Sequence, residues 1–189
     1  MVESTRLYFA YGAMLSPRTL QRRGIRPVGP VLRAKLPNYR LVFDHRAGFG
    51  TLVATENEHE VHGVLMRLSP EDWGTLRRSE VGYVVEDVAV ELEPGDGDGD
   101  GSLTMASAFV SQSDLLLPPN SGVPTTRYLG LIKEGAEHHN LPGPYQQWLQ
   151  SLDSVRSVPR SNYNTSRERR ARAGIALAAA AALAAWIAL

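Results

Sequence analysis

Two features of this chain combine residue types and settings that can do chemistry. One is a lone carboxylate, Glu80. The other is the apolar run Leu7-Tyr8-Phe9-Ala10-Tyr11-Gly12-Ala13-Met14-Leu15. Glu80 falls where a helical segment opened by Ser69-Pro70 runs out. A helix C-terminus disfavours negative charge, and withdrawal from water raises a carboxyl pKa further. A carboxyl so placed serves as both general base and general acid near neutral pH; the plainer reading is a solvated loop carboxylate. The apolar run reads as a buried strand that breaks at Gly12, the residue there that takes positive φ without steric cost. Ser16-Pro17 then starts a helix. Backbone N–H groups left over at such a turn can hold an anion or a carbonyl oxygen.

Other chemistries are poorly served. With no cysteine, thiolate nucleophiles, disulfides and Cys-based metal sites are excluded. No Gly-x-Ser-x-Gly, Walker A or Gly-x-Gly-x-x-Gly pattern is present. Asp96-x-Asp98-x-Asp100-Gly101 imitates half of an EF-hand loop, but the twelfth position is Ser107 instead of Glu, and strand-like flanks replace the helices. It reads as a solvated hairpin loop. His59 and His62 fall on opposite faces of a strand start, and His138 and His139 are adjacent at a helix end. These four and His45 are read as surface or helix-terminal residues, so neither a metal nor a cofactor is expected. Twenty basic and twenty acidic residues cancel, which argues against a broad nucleic-acid footprint.

The elements that must position Glu80 and the Gly12 turn follow from periodicity and turn residues. Strands are expected at 7–11, 31–35, 39–44, 51–55, 61–68, 83–92 and 103–110. Helices are expected from Pro17 to about Arg23, closed by Gly24, and from Pro70 to near Ser79. A third is capped by Thr125 or Thr126 and carries Tyr128, Leu131, Ile132 and Gly135; a fourth carries Tyr145, Trp148, Leu149 and Leu152. Strands with helices inserted between only some of them predict an α+β fold. Its sheet would be small, mixed, largely antiparallel and barrel-like.

The opening text, Leu7-Tyr8-Phe9-Ala10-Tyr11-Gly12, resembles that of the gamma-glutamylcyclotransferase family. Three more segments are similar in the same order: Gly63-Val64-Leu65 leading to Leu68-Ser69-Pro70 and the helix ending in Glu80; Tyr83-Val84-Val85; and Tyr128-Leu129-x-Leu131-Ile132-x-x-Gly135-Ala136 with Leu141-Pro142-x-x-Tyr145. The resemblance implies a small mixed barrel with packed helices. It also implies an enzyme that cyclises the γ-glutamyl group of γ-glutamyl peptides or amines, glutathione among them, to 5-oxoproline and frees the amine. Glu80 falls on the family's catalytic glutamate. Tyr8, Phe9, Ala10, Tyr11, Gly12 and Ala13 fall on its substrate-binding strand and turn, and Tyr128 on a pocket tyrosine. Ala13-Met14 stands where the family has Ser-Asn. A member that binds a γ-glutamyl or other small ligand without turnover is the other reading of the same residues.

The resemblance covers about residues 7–152, so residues 1–154 are expected to form the catalytic domain, cytoplasmic since no secretory signal opens the chain. A basic polar linker is expected at 155–172. Residues 173–189 lack any charged or polar side chain; as a helix they would span about 25 Å, and Trp186 with the preceding arginines suits a membrane anchor.

Overall fold

The structure, a computed structural model, describes residues 4–56, 58–96 and 103–156. The expected linker beyond Arg156 and the apolar segment 173–189 lie outside the described residues. Five strands close into a barrel in the order β1 (Arg6–Ala10), β5 (Glu60–Leu68), β2 (Leu32–Pro37), β6 (Tyr83–Leu92) and β7 (Leu103–Ser111). Neighbours are antiparallel except where β1 meets β7 in parallel, Tyr8 opposite Ser107, and closes the ring. β3 (Tyr39–His45) and β4 (Phe49–Ala54) form a separate two-stranded hairpin, joined to β7 by Ser111 N–H donating to Thr51 Oγ1 at 2.9 Å. The fold is therefore α+β with a mixed, largely antiparallel barrel, as expected.

Barrel closure explains the sequence patterns. β5 is buried at every position from Val61 to Met66, because one of its faces looks into the barrel and the other is covered, as in strands of doubly covered sheets. β2 instead alternates, burying Ala34 and Leu36. Both faces of the sheet are packed: Phe9, Leu36 and Val61 lie on one face and Met66 and Leu68 on the other, all of them buried.

Among the described residues four α-helices accompany the barrel: α1 (Pro17–Arg23), α2 (Pro70–Ser79), α3 (Thr126–His138) and α4 (Gly143–Ser151). Ser69 caps α2 by accepting from Asp72 N–H at 3.1 Å, and Thr125 caps α3 by accepting from Tyr128 N–H at 3.2 Å. Ser16 is the N-cap residue of α1 but its side chain caps nothing; its hydroxyl donates to Glu134 Oε1 at 3.4 Å. The compact unit runs to Val155, whose N–H donates to Pro124 O at 3.0 Å and whose carbonyl accepts from Thr126 N–H at 2.8 Å. Among the described residues, no helix is long and apolar enough to cross a membrane.

Two histidines expected at the surface are buried. His45 is 1 % exposed, because β3 carries it under Tyr83; the rings stack at 4.2 Å, and Nδ1 bonds Ser111 Oγ at 2.7 Å. His62 is enclosed between Glu93 Oε1 at 2.6 Å and Glu60 Oε1 at 3.0 Å. Partners of this kind replace water around a buried imidazole.

Candidate active site

β1 delivers its residues to a short 3-10 turn, Ala13–Leu15, and then to α1. Gly12 has φ −110, not the positive value expected. A Cβ there would make a tight contact, 3.1 Å from the Tyr128 hydroxyl. Phe9 and Ala10 are fully buried, the Phe9 ring packing over Gly63, so what they offer a ligand is backbone. Met14 is 4 % exposed and belongs to the core. The substitution that departs from the family text therefore faces inward at that position, while Ala13 stays at the half-exposed turn.

Glu80 is the C-cap of α2, with its N–H donating to Leu76 O at 3.2 Å. The turn 80–83 requires glycine at position 82: φ is +88, and a Cβ would lie 2.5 Å from Leu115 Cδ1 and 3.2 Å from His45 Cε1. The carboxyl does not stand alone. Arg23, from the last turn of α1, donates from Nη1 to Glu80 Oε1 and also, at 2.8 Å, to Ser79 Oγ. Both partners are sheltered, Glu80 being 17 % and Arg23 30 % exposed at the side chain.

Four tyrosines, from β1 and the segment just after it, β6 and α3, lie within electrostatic reach of Glu80. Burial raises the Tyr8 phenol well above its usual pKa, and the Glu80 charge raises it further, while Arg23 acts in the opposite sense. Burial likewise raises Tyr11, with Tyr83, Tyr128, Tyr8 and Glu80 adding to it. Tyr83 is raised by burial and then by Tyr128 and Glu80. The Tyr128 phenol is pushed up to about 12 as the net of burial, which raises it most, hydrogen bonding from the Gly50 backbone, which lowers it, the Glu80 charge, which raises it, and Arg23 and the Ala13 backbone, which lower it. All four phenols therefore stay protonated at neutral pH and are excluded as bases.

Their protons are not equally available. Tyr11 donates to Phe109 O, and Tyr83 donates to Gly50 O at 2.8 Å. The Tyr128 oxygen instead accepts from Gly50 N–H at 3.0 Å. Its own proton remains to be given, and amides that bond the oxygen make that proton a better donor.

The structure thus brings together Glu80, Tyr8, Tyr11, Tyr128 and the Gly12–Ala13 turn. It adds Arg23, Ser79 and Tyr83, which sequence reasoning missed; Arg23 shows there only as a basic residue near a helix end, 57 positions from its partner. A separate cavity of about 550 Å³, bordered by Phe43, Glu60, Tyr145 and Trp148, contains none of the expected residues. Among the described residues, no His, Cys, Asp or Glu group could hold a metal ion.

Comparison with known proteins gives a consistent result. The sequence model of the "Gamma-glutamyl cyclotransferase, AIG2-like" family matches residues 8–129. The chain is 28 % identical over 170 residues to the gamma-glutamyl cyclotransferase gliK of Aspergillus fumigatus, covering 77 % of this chain and 61 % of that protein. It thus spans about three fifths of the length of that curated relative. Among solved structures, an uncharacterised human protein and a gamma-glutamyl cyclotransferase each align with a TM-score of 0.66 at 22 % identity, covering 82 % of this chain and 92 % of theirs.

Proposed function

Because the chain belongs to the gamma-glutamyl cyclotransferase, AIG2-like family, we propose that it cyclises the γ-glutamyl group of γ-glutamyl peptides or amines to 5-oxoproline and releases the free amine, with Glu80 as general acid and base. The observation that carries this reading is the meeting of one sheltered carboxyl with four protonated phenols beside the Gly12 turn.

In this reading the γ-glutamyl head lies against the turn 12–13, bound chiefly by backbone. Glu80 takes a proton from the α-ammonium group, and the freed nitrogen attacks the γ-carbonyl carbon. A ring C–N bond forms, and the carbonyl electrons move onto oxygen. Tyr128 donates its O–H to that oxyanion, held in aim by Gly50 N–H. When the carbonyl reforms, the amide C–N bond breaks and Glu80 passes the proton to the departing nitrogen. A second proton, from the new ring nitrogen, follows the same route, so the amine leaves as ammonium and the ring keeps one N–H. One carboxyl suffices for the whole shuttle. Arg23 and Ser79 keep it in place through the ion pair and its neighbouring hydrogen bond. No metal or cofactor takes part in this scheme.

The test is to incubate the full chain with γ-glutamyl-alanine, a γ-glutamylamine and glutathione and to measure 5-oxoproline. Release from at least one above the enzyme-free rate is expected; no release from any of the three contradicts the reading.

A further inference from the structure

Asp44, near the end of β3, is a buried carboxylate that the scheme above does not use; it is 6 % exposed. Both of its oxygens are engaged by one loop. Oδ2 accepts from Asn120 N–H at 2.8 Å and Oδ1 from Gly122 N–H at 3.0 Å. The Asp44 carbonyl accepts from Leu117 N–H at 2.6 Å. Among the described residues no cation pairs with Asp44. A carboxylate withdrawn from water is costly unless its lone pairs are filled. Here backbone amides fill them, and bonds to an ionised acceptor are stronger than those to a neutral one. Asparagine would satisfy one of the two amides and turn its own N–H groups towards the other.

Close packing presses the same loop onto the same hairpin. A Cβ on Gly122 would stand 1.9 Å from Phe43 O, and one on Gly48, where φ is +72, would stand 2.1 Å from Val123 O. Only Pro124 separates Val123 from Thr125, the N-cap of α3, whose hydroxyl accepts from Tyr128 N–H at 3.2 Å. The far end of Tyr128 returns to the hairpin: its oxygen accepts from Gly50 N–H on β4 at 3.0 Å, and its ring meets Phe49 edge-on at 4.9 Å. One hairpin therefore holds Tyr128 twice, at the phenol through Gly50 and at the start of its helix through the loop that Asp44 secures.

We propose that Asp44 is a positioning residue for the oxyanion donor: by tethering the loop 117–122 it fixes the first turn of α3 and keeps the Tyr128 hydroxyl seated on Gly50 N–H, with its proton aimed at the reacting carbonyl. This rests on the cyclotransferase reading above, in which Tyr128 donates to the oxyanion. Asp44 acts through Tyr128 and carries no proton in the reaction, since both of its oxygens are engaged by amides. An oxyanion donor is effective only when held in place before charge develops, and the tether supplies that constraint from the side of the helix.

Asp44→Asn keeps the size of the side chain and one acceptor. It should lower kcat by about ten- to a hundredfold with little change in KM. Made in a Tyr128→Phe chain, the same substitution should change kcat by less than about twofold, because the group it aims is gone. A substitution that only loosened the fold would lower kcat by the same factor in both backgrounds. Amide hydrogen exchange at Gly50, read by NMR, reports the contact without turnover. Its protection should fall in Asp44→Asn about as far as in Tyr128→Phe, while the amides of β5 keep theirs. Equal factors in the two backgrounds, or unchanged protection at Gly50, overturn the proposal. A wild-type chain that releases no 5-oxoproline from γ-glutamyl-alanine, a γ-glutamylamine or glutathione counts instead against the cyclotransferase reading, and exchange at Gly50 then decides the tether alone.

Discussion

In the proposed mechanism Tyr128 donates to the oxyanion and Arg23 holds the Glu80 carboxyl, and single substitutions separate the two roles. Tyr128→Phe removes the acceptor of Gly50 N–H and leaves a polar group unpaired in a buried setting. It should cost about 1–3 kcal/mol of stability, read as a lower urea midpoint, together with a fall in kcat. Unchanged stability and rate would show that the phenol oxygen is dispensable. Arg23→Gln releases the carboxyl from its ion pair while leaving the barrel intact. Because a misplaced catalytic group commonly costs ten- to about a hundredfold in rate, kcat should drop by that order with a smaller change in KM, and Arg23→Lys should recover part of it. A loss confined to KM would argue against a positioning role. Glu80 was legible because Ser69-Pro70 marks the start of α2 and the helix then has to end near it. Arg23 was not, since only the folded barrel brings α1 to the end of α2. The Ala13-Met14 departure also changes meaning in three dimensions: Met14 is a core side chain, so the position offers a ligand backbone only.

The element on which the site depends most is α3. It presents Tyr128 in its first turn and rests farther along on the turn that follows β1, where a Cβ on Gly135 would meet Leu15 Cβ at 2.3 Å and Leu15 C at 2.5 Å. Its C-cap residue His139 bonds Leu15 O at 3.1 Å. Helix propensity alone says that Gly→Ala at an internal position stabilises by about 0.5–1 kcal/mol. Overpacking against backbone costs about 1–3 kcal/mol, so packing wins at Gly135. Gly135→Ala should lower the unfolding free energy and impair activity by shifting the turn 13–15. Gly130→Ala on the same helix meets nothing within 4 Å and should be neutral or stabilising in the same denaturation assay; if the two behave alike, the close-approach account fails. Helical spacing in the sequence indicated which residues share a face of α3, but not that Gly135 is the point of contact, because spacing carries no information about the partner surface.

At the scale of the molecule, strand existence was legible from alternation and turn residues, whereas the order β1-β5-β2-β6-β7 was not. Pairing 6–10 with 64–68, and 8 with 107, is a long-range choice fixed by closing the ring and covering its faces. Closure also buries groups that local sequence places at the surface. Burial holds the His45 imidazole below its usual pKa, with Arg46 adding to the effect. His139 is lowered by burial and by His138, against a raising contribution from its bond to Leu15. Both are favoured neutral in the folded chain. The unfolded chain binds the extra protons as pH falls through about 6.5, so the stability they contribute is present above that value and is lost towards the depressed folded pKa values. Thermal melts should show a lower Tm at about pH 5 than at about pH 7.5; equal or higher Tm at the acid end would contradict this. The most direct test of the central claim is the rate of 5-oxoproline release by wild type and Glu80→Gln, side by side, on the best γ-glutamyl substrate. Removing the proton-carrying oxygen should lower kcat by about 10²–10⁴-fold while the circular dichroism spectrum and substrate binding persist. A Glu80→Gln chain that turns over at the wild-type rate would contradict the account.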